Sequence, residues 1–309
     1  MEKLEGIDLL HKYGLNPVRP EVMDSSALKD FVDCPSLFYL RHILGLKLKS
    51  RDPQDDAKFD YGTVWHRVME AWCNTGDLTE ALKQLDPWPR SIMAETDRHG
   101  RSKQRMAQQF FEYAERFKEQ DDLDYIDLRA EQYFDVYDEE LDLRWCGIID
   151  RVRQRRRNKK IVIWDYKTTS AMGANFFEMH EFGFQLPGYV WASQFFLTDP
   201  AEEVMMDVLY TLKGSHQFFR RTFRYDRAKL GEWKNNIKLT LDELNRLLDN
   251  HLHNPEAWRK NWNQCTRYGL CQFSRVHFMP PIRDSRLLIL QNDYVEERWE
   301  PSKRGEEGS

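Results

Sequence analysis

Apolar positions recur along this chain first at helical and then at strand spacing. From about Tyr61 to Trp72 they fall on one side of a helix, at Val64, Trp65, Val68, Met69 and Trp72. Ahead of it, Leu28, Phe31 and Val32, then Leu37, Phe38 and Leu40, mark a core-facing helix that Ser25 or Ser26 can cap. Pro35 lacks a backbone N–H and interrupts it, which predicts a kink or two short helices. Residues 1–23, with Pro17 and Pro20, read as an extended lead-in, and 49–58 as a polar loop. A long helix from about Ser102 closes a helical lobe that runs through Phe117. Alternation then predicts strands over Ile126–Val136, Leu141–Val152 and Ile161–Tyr166, rich in β-branched and aromatic residues. A helix over about Phe182–Phe196, strands Val204–Leu212 and Phe218–Tyr225, and a helix from Ala228 to about Leu252 follow. No internal repeat is visible. The order implies an α/β (α+β) sandwich with a helical insertion at its front.

Composition changes this picture little and charge changes it more. The 309 residues are 41% hydrophobic and 31% charged, enough to bury one large core or two small ones. No apolar run is long enough to span a bilayer, and Met1–Glu5 lacks the basic flank of a secretory signal, so a cytoplasmic protein with no membrane partner is expected. Five cysteines do not make a disulfide framework here; reduced thiols or metal ligands are expected. The net charge of −5 hides a basic run of Arg151, Arg153, Arg155, Arg156, Arg157, Lys159 and Lys160, and a second group at Arg220, Arg221 and Arg224. Such stripes can steer a polyanion. The polar tail from Glu300 to Ser309 is expected to be disordered.

Chemistry concentrates where two predicted strands meet. Gly147-Ile148-Ile149-Asp150 closes one, and Ile163-Trp164-Asp165-Tyr166-Lys167 closes the next. Alternation puts Asp165 and Lys167 on one face with Tyr166 opposite, so two carboxylates and an amine can converge. That set suits divalent-ion-assisted cleavage of a phosphodiester, although an exposed hairpin salt bridge would read the same way. His66 lies on the predicted helix, with Glu70 one turn later able to orient its imidazole. Gln185 and Tyr189 share a helix face. Tyr39, Trp65 and Trp72 have the spacing of core residues, or could stack on bases. The basic hairpin tip would project beside the scissile phosphate.

In this order, His66, Gly147-x-x-Asp150, Asp165-Tyr166-Lys167 and Gln185-x-x-x-Tyr189 resemble the RecB-like branch of the PD-(D/E)xK nuclease superfamily. Relatives in that branch include the AddB nuclease domain, CRISPR adaptation exonucleases and phage recombination exonucleases. Ser26 to Tyr39 is similar to the family's opening segment, and the likeness runs from about residue 25 to 280. The resemblance implies a restriction-endonuclease-like core: a small mixed central sheet flanked by helices, with an N-terminal helical insertion and a C-terminal Cys/His metal staple. It implies one nuclease domain over 25–299, with a helical lobe at 25–120, a catalytic core at 121–252 and a Cys-containing segment at 253–299. Asp150 and Asp165 would hold Mg²⁺ or Mn²⁺, with His66 and the Tyr166 carbonyl as further ligands. Lys167 would position the attacking water, while Gln185 and Tyr189 would orient Lys167 or a phosphate. Cys34, Cys265 and Cys271, with His277 as fourth ligand, match a [4Fe–4S] site or a Zn²⁺ site in its place; histidine in the fourth position leans towards zinc or a weakened cluster.

The expected activity is metal-dependent DNA exonuclease in recombination, repair or phage DNA processing. The expected setting is a bacterial, archaeal or phage-infected cell, acting on single- or double-stranded DNA ends with a helicase or strand-annealing partner. Arg151, Arg153, Arg155, Arg156 and Arg157 are the expected DNA-binding residues. A structure-selective or nicking endonuclease and a catalytically weak DNA-end-binding module are the alternatives.

Overall fold

The computed structural model describes residues 10–49, 53–86, 88–89, 92, 100–267, 270–278 and 283–298, with backbone alone for 53–59 and 283–284. In chain order the elements are α1 (Ser25–Asp33), α2 (Pro35–Phe38), a π turn (Tyr39–Ile43), β1 (Leu46–Leu48), α3 (Pro53–Thr75), α4 (Leu78–Lys83) and α5 (Lys103–Asp124). Then come β2 (Tyr125–Asp138), β3 (Leu143–Arg155), β4 (Ile161–Thr169), α6 (Phe176–Glu181), α7 (Gln185–Phe196), β5 (Glu203–Thr211) and β6 (His216–Arg224). The last are α8 (Arg227–His251), α9 (Ser274–Phe278), α10 (Arg283–Asp293) and β7 (Tyr294–Glu296). The chain gathers into two compact units: residues 1–50, 135–146 and 231–309 form unit 1, and 51–134 and 147–230 form unit 2. Segments 25–50 and 51–120, one helical lobe in the sequence reading, fall in different units. The expected tail from Glu300 lies outside the described residues.

Unit 2 carries most of a five-stranded sheet of order β2-β3-β4-β5-β6. The four residues between β2 and β3 are too few for a crossover, so these neighbours run antiparallel. β3 and β4 are antiparallel, β4 and β5 parallel, and β5 and β6 antiparallel, which makes the sheet mixed as expected. The parallel step needs a long connection, and α6 and α7 supply it. One face of β4, presenting Val162, Trp164 and Tyr166, packs under α3 and α5 through Tyr61, Trp65, Val68, Phe110 and Tyr113. Towards the other face lies α7, whose Leu186 and Val190 are fully buried. α3 begins at Pro53, inside the expected loop over 49–58. That stretch lacks glycine and carries Asp55 and Asp56, which a helix accepts in its first turn; its polarity hid the helix because no apolar stripe marks it.

In unit 1, α1 is capped by Asp24, whose Oδ1 accepts from Ala27 N at 2.7 Å, in place of Ser25 or Ser26. Replacing such a cap by alanine costs about 1 kcal/mol. The break at Pro35 is present: Cys34 is extended, the backbone that a following proline enforces. Trp258 is fully buried against Phe31, Phe38 and Tyr39, and β1 pairs antiparallel with β7.

Candidate active site

β4 supplies the base of the site. Asp165 is fully buried, and its Oδ1 accepts from Lys167 Nζ at 2.7 Å. The β3–β4 register runs from Gln154↔Ile161 to Arg151↔Trp164. Beyond that point the Asp150 carboxylate replaces a backbone partner: Oδ2 accepts the Tyr166 N–H at 2.6 Å. A side chain thereby holds the two strands together where their carboxylates face one site. Two glycines explain how close the remaining parts come. A Cβ on Gly147 would lie 2.8 Å from the Phe134 ring and 3.4 Å from Tyr189, so only glycine lets the strand pass beneath both rings. A Cβ on Gly62 would meet Thr168 Oγ1 at 3.2 Å, so α3 approaches the end of β4 there and presents His66 one turn later.

His66 Nδ1 lies 3.3 Å from Asp150 Oδ1 and 3.8 Å from Glu131 Oε1. The ligand atoms of His66, Glu131 and Asp150 all fall within 4.8 Å of one another. Asp150 and Glu131, from neighbouring strands, orient the imidazole where Glu70 was expected to. Burial alone would push the imidazole down, but Asp150 and then Glu131 carry it up to about 10. Burial disfavours the charged form of Asp150, yet His66 and then Lys167 hold its carboxyl below the usual range. Burial first, and the neighbouring Asp150 carboxylate as well, push Asp165 up against the pull of Lys167. Burial likewise raises Glu131. Gln185 Nε2 donates to the Tyr189 hydroxyl at 2.7 Å, and Tyr189 lies within electrostatic reach of Asp165 and Asp150.

Sequence reasoning missed Glu131. Its φ of 43° is a left-handed conformation inside β2, and such a residue breaks two-residue alternation. The only sequence signal was an acidic residue within a predicted strand. Strained backbone of this kind persists where surrounding structure over-determines it, commonly at functional sites.

The residues fit a divalent cation. Asp165 Oδ2 is buried with no hydrogen-bond donor from the protein, an expensive state for a carboxylate oxygen. Three carboxylates share the site with one imidazole and one amine, and a bound cation would favour the charged forms of Glu131 and Asp165.

The arginines are placed otherwise. Arg151 and Arg153 are buried on the opposite face of β3 from Asp150, as alternation requires. Arg151 pairs with Asp127 at 2.5 Å and meets the Tyr166 hydroxyl at 3.1 Å. Arg153 pairs with Asp121 at 3.1 Å and Asp127 at 3.0 Å, with its guanidinium 4.8 Å over Trp164. Both therefore hold the core together and are inaccessible to a DNA backbone. Arg155 pairs with Glu203 at 2.8 Å, Arg156 donates to the carbonyls of Asp122 and Tyr125, and Arg157 is exposed. The hairpin tip follows Ile161 backwards from Asp165, about 13 Å or more along β4, so it projects away from the carboxylates. Arg220 is likewise engaged, by Asp121 and Asp207. Tyr39, Trp65 and Trp72 are buried.

In unit 1, Cys34 and Cys265 are buried and Cys271 is half-buried. Cys34 Sγ accepts from Asn261 N at 3.4 Å. Burial first and neighbouring thiols after it raise Cys265 and Cys271. His277 Nε2 meets Ser36 Oγ at 3.1 Å, while Nδ1 is buried without a hydrogen-bond partner. Among the described residues these four do not form a set with three ligand atoms inside 4.8 Å.

A model of the PD-(D/E)XK nuclease superfamily matches residues 25–276. Among solved structures, a "putative exonuclease" from Eubacterium rectale superposes with a TM-score of 0.50 at 12% identity, covering 84% of this chain and 89% of that one. SSO0001 gives a TM-score of 0.34 at 10% identity, covering 92% of this chain and 96% of that one. No curated protein matches the sequence.

Proposed function

The chain belongs to the PD-(D/E)XK nuclease superfamily, and from that premise we propose that it is a divalent-metal-dependent deoxyribonuclease that hydrolyses DNA from its ends. The observation that carries this reading is the convergence of His66, Glu131 and Asp150 beside the ion pair of Lys167 with the buried Asp165. His66, Glu131, Asp150 and Asp165 Oδ2 would hold the ion, with the Tyr166 carbonyl as a further oxygen. Imidazole among carboxylates favours Mn²⁺ over Mg²⁺, which prefers oxygen ligands and keeps its waters. An ion bound there supplies Lewis acidity at a phosphoryl oxygen and eases deprotonation of water.

The chain's own residues do the rest. Asp165 tethers Lys167 Nζ where it can hold the attacking water and offset charge that develops on the phosphoryl group. Gln185 donates to Tyr189, which leaves the phenol's own proton free for a phosphate oxygen. Water oxygen bonds to phosphorus as the bond to the leaving deoxyribose oxygen breaks; the water gives up one proton, and the leaving oxygen takes one up, directly or through solvent. A role in recombination, repair or phage DNA processing, beside a helicase or strand-annealing protein, is part of the same proposal.

Cys34, Cys265 and Cys271 we assign to a structural iron–sulfur cluster, with His277 Nδ1 as fourth ligand. Thiolates with one imidazole also suit Zn²⁺, which is the alternative occupant of this site.

The test is digestion of end-labelled linear DNA against a closed circle, in Mn²⁺ and in EDTA. Cleavage of the linear form alone, lost in EDTA, is expected. Cutting of the circle would replace the exonuclease reading by an endonuclease. Binding without any cutting would leave an end-binding module.

A further inference from the structure

Phe182 is the most exposed large hydrophobic residue among those described, at 77%, and Met179 in the preceding turn is 52% exposed. Both belong to α6 and its C-terminal cap, a helix none of whose side chains is fully buried. A single exposed apolar residue is unremarkable. These two stand out for where they are and how firmly their backbone is held.

Phe182 lies three residues before Gln185, within about 10 Å of it even for extended chain. His180, on the same turn as Met179, feels the Lys167 ammonium, which adds to burial in lowering its pKa. The turn that carries the exposed ring therefore borders the site.

α6 is also anchored from several sides. Glu178 pairs with Arg221 at 2.7 Å, and the same guanidinium lies 5.4 Å over the Phe177 ring. The Glu181 carbonyl accepts from the Tyr225 hydroxyl at 2.9 Å, and its carboxylate pairs with Lys229 at 3.1 Å. A Cβ on Gly183 would lie 3.2 Å from the Met179 carbonyl, so glycine lets the chain turn tightly after the ring. Ordering a flexible aromatic on binding costs entropy; here the backbone that carries it is fixed beforehand.

A rigid apolar face beside a phosphate-binding amine matches an unpaired nucleotide, with the face for the base and the amine for its phosphate. A base inside a duplex has both faces covered by its neighbours, whereas an unpaired base offers one to an aromatic ring. We propose that Phe182, with Met179, is the platform on which an unpaired base stacks next to the scissile phosphate, so that the enzyme takes single-stranded ends. This rests on the nuclease reading above.

The test measures binding in EDTA, where nothing is cleaved. Wild type, Phe182→Ala and Phe182→Trp are titrated against a single-stranded oligonucleotide carrying 2-aminopurine and against a blunt duplex. Stacking of one base is worth about 1–3 kcal/mol, so Phe182→Ala is expected to weaken single-strand binding by about 5- to 150-fold. Duplex affinity is expected to stay nearly constant, and the quenching of 2-aminopurine to be lost in Phe182→Ala and restored in Phe182→Trp. Equal single-strand affinity in wild type and Phe182→Ala would overturn the platform, as would equal losses on both substrates. A Phe182→Ala change in sedimentation would overturn it too, because a second copy would then cover the ring. Phe182-dependent binding without cleavage in Mn²⁺ would support the platform while sinking the nuclease reading, and a wild type that binds no strand would overturn both.

Discussion

In unit 2 a histidine and two carboxylates bring ligand atoms within 4.8 Å of one another; among the described residues of unit 1, three cysteines and a histidine do not gather three ligand atoms so closely. The residues of the first set sit within long elements, α3, β2 and β3, whose positions are fixed by a core that includes Trp65, Val68 and Trp164. Those of the second sit at element ends and in coil: Cys34 between α1 and α2, Cys265 and Cys271 in a loop, and His277 in a short helix. Partners also differ. Asp165 Oδ2 has no protein donor, whereas Cys34 Sγ already accepts a backbone N–H. In the proposed reading the first set is preorganised for a cation, and the second would be drawn together by a metal on binding. That is the usual relation between metal binding and folding where no preformed site exists.

The sharpest way to break this comparison is to remove a preorganised ligand. Asp165→Ala is expected to lower cleavage by at least about a thousandfold, measured in single turnover with saturating Mn²⁺, because it removes a ligand and frees Lys167 together. Glu131→Gln should weaken Mn²⁺ binding by about 10- to 100-fold, read by calorimetry; an unchanged affinity would place Glu131 outside the ion's ligands.

The next effect depends on pH. His66 has its folded-state value raised to about 10, against an ordinary 6.5. Its contribution to the stability of the metal-free protein is therefore fully present below about pH 6.5 and lost as pH rises through about 10. In EDTA, the melting temperature of wild type should fall across that window more than that of His66→Gln. Mn²⁺ must displace the same proton, so metal affinity should rise over the same range.

The smallest effect on chemistry belongs to unit 1. Cys265→Ser should abolish bound iron in anaerobically purified protein and lower its melting temperature, with cleavage at moderate temperature changed by less than about tenfold. Wild type that holds neither iron nor zinc would remove the second centre from the account.

The sequence made the first site more legible than its surroundings, for physical reasons. Asp165 and Lys167 were readable because strand alternation fixes which residues share a face. The same rule, applied to β3, would have turned Arg151 and Arg153 away from Asp150, but a cluster of arginines was read as a surface run. What overrode it was neutralisation from a distance in the sequence, by Asp121 and Asp127. Glu131 was hidden by a backbone conformation that alternation does not describe. The start of α3 was hidden by polarity. The five strands of the sheet were legible because each was apolar enough to be recognised, whereas the mixed pairing was implied only by the family resemblance.

The proposed hydrolysis takes place at Lys167 and the carboxylates beside it. Single-turnover cleavage of linear DNA by Lys167→Ala, measured together with its Mn²⁺ and DNA affinities, tests it most directly. Cleavage is expected to fall at least about a thousandfold, with both affinities within about tenfold of wild type. Cleavage at the wild-type rate would contradict it.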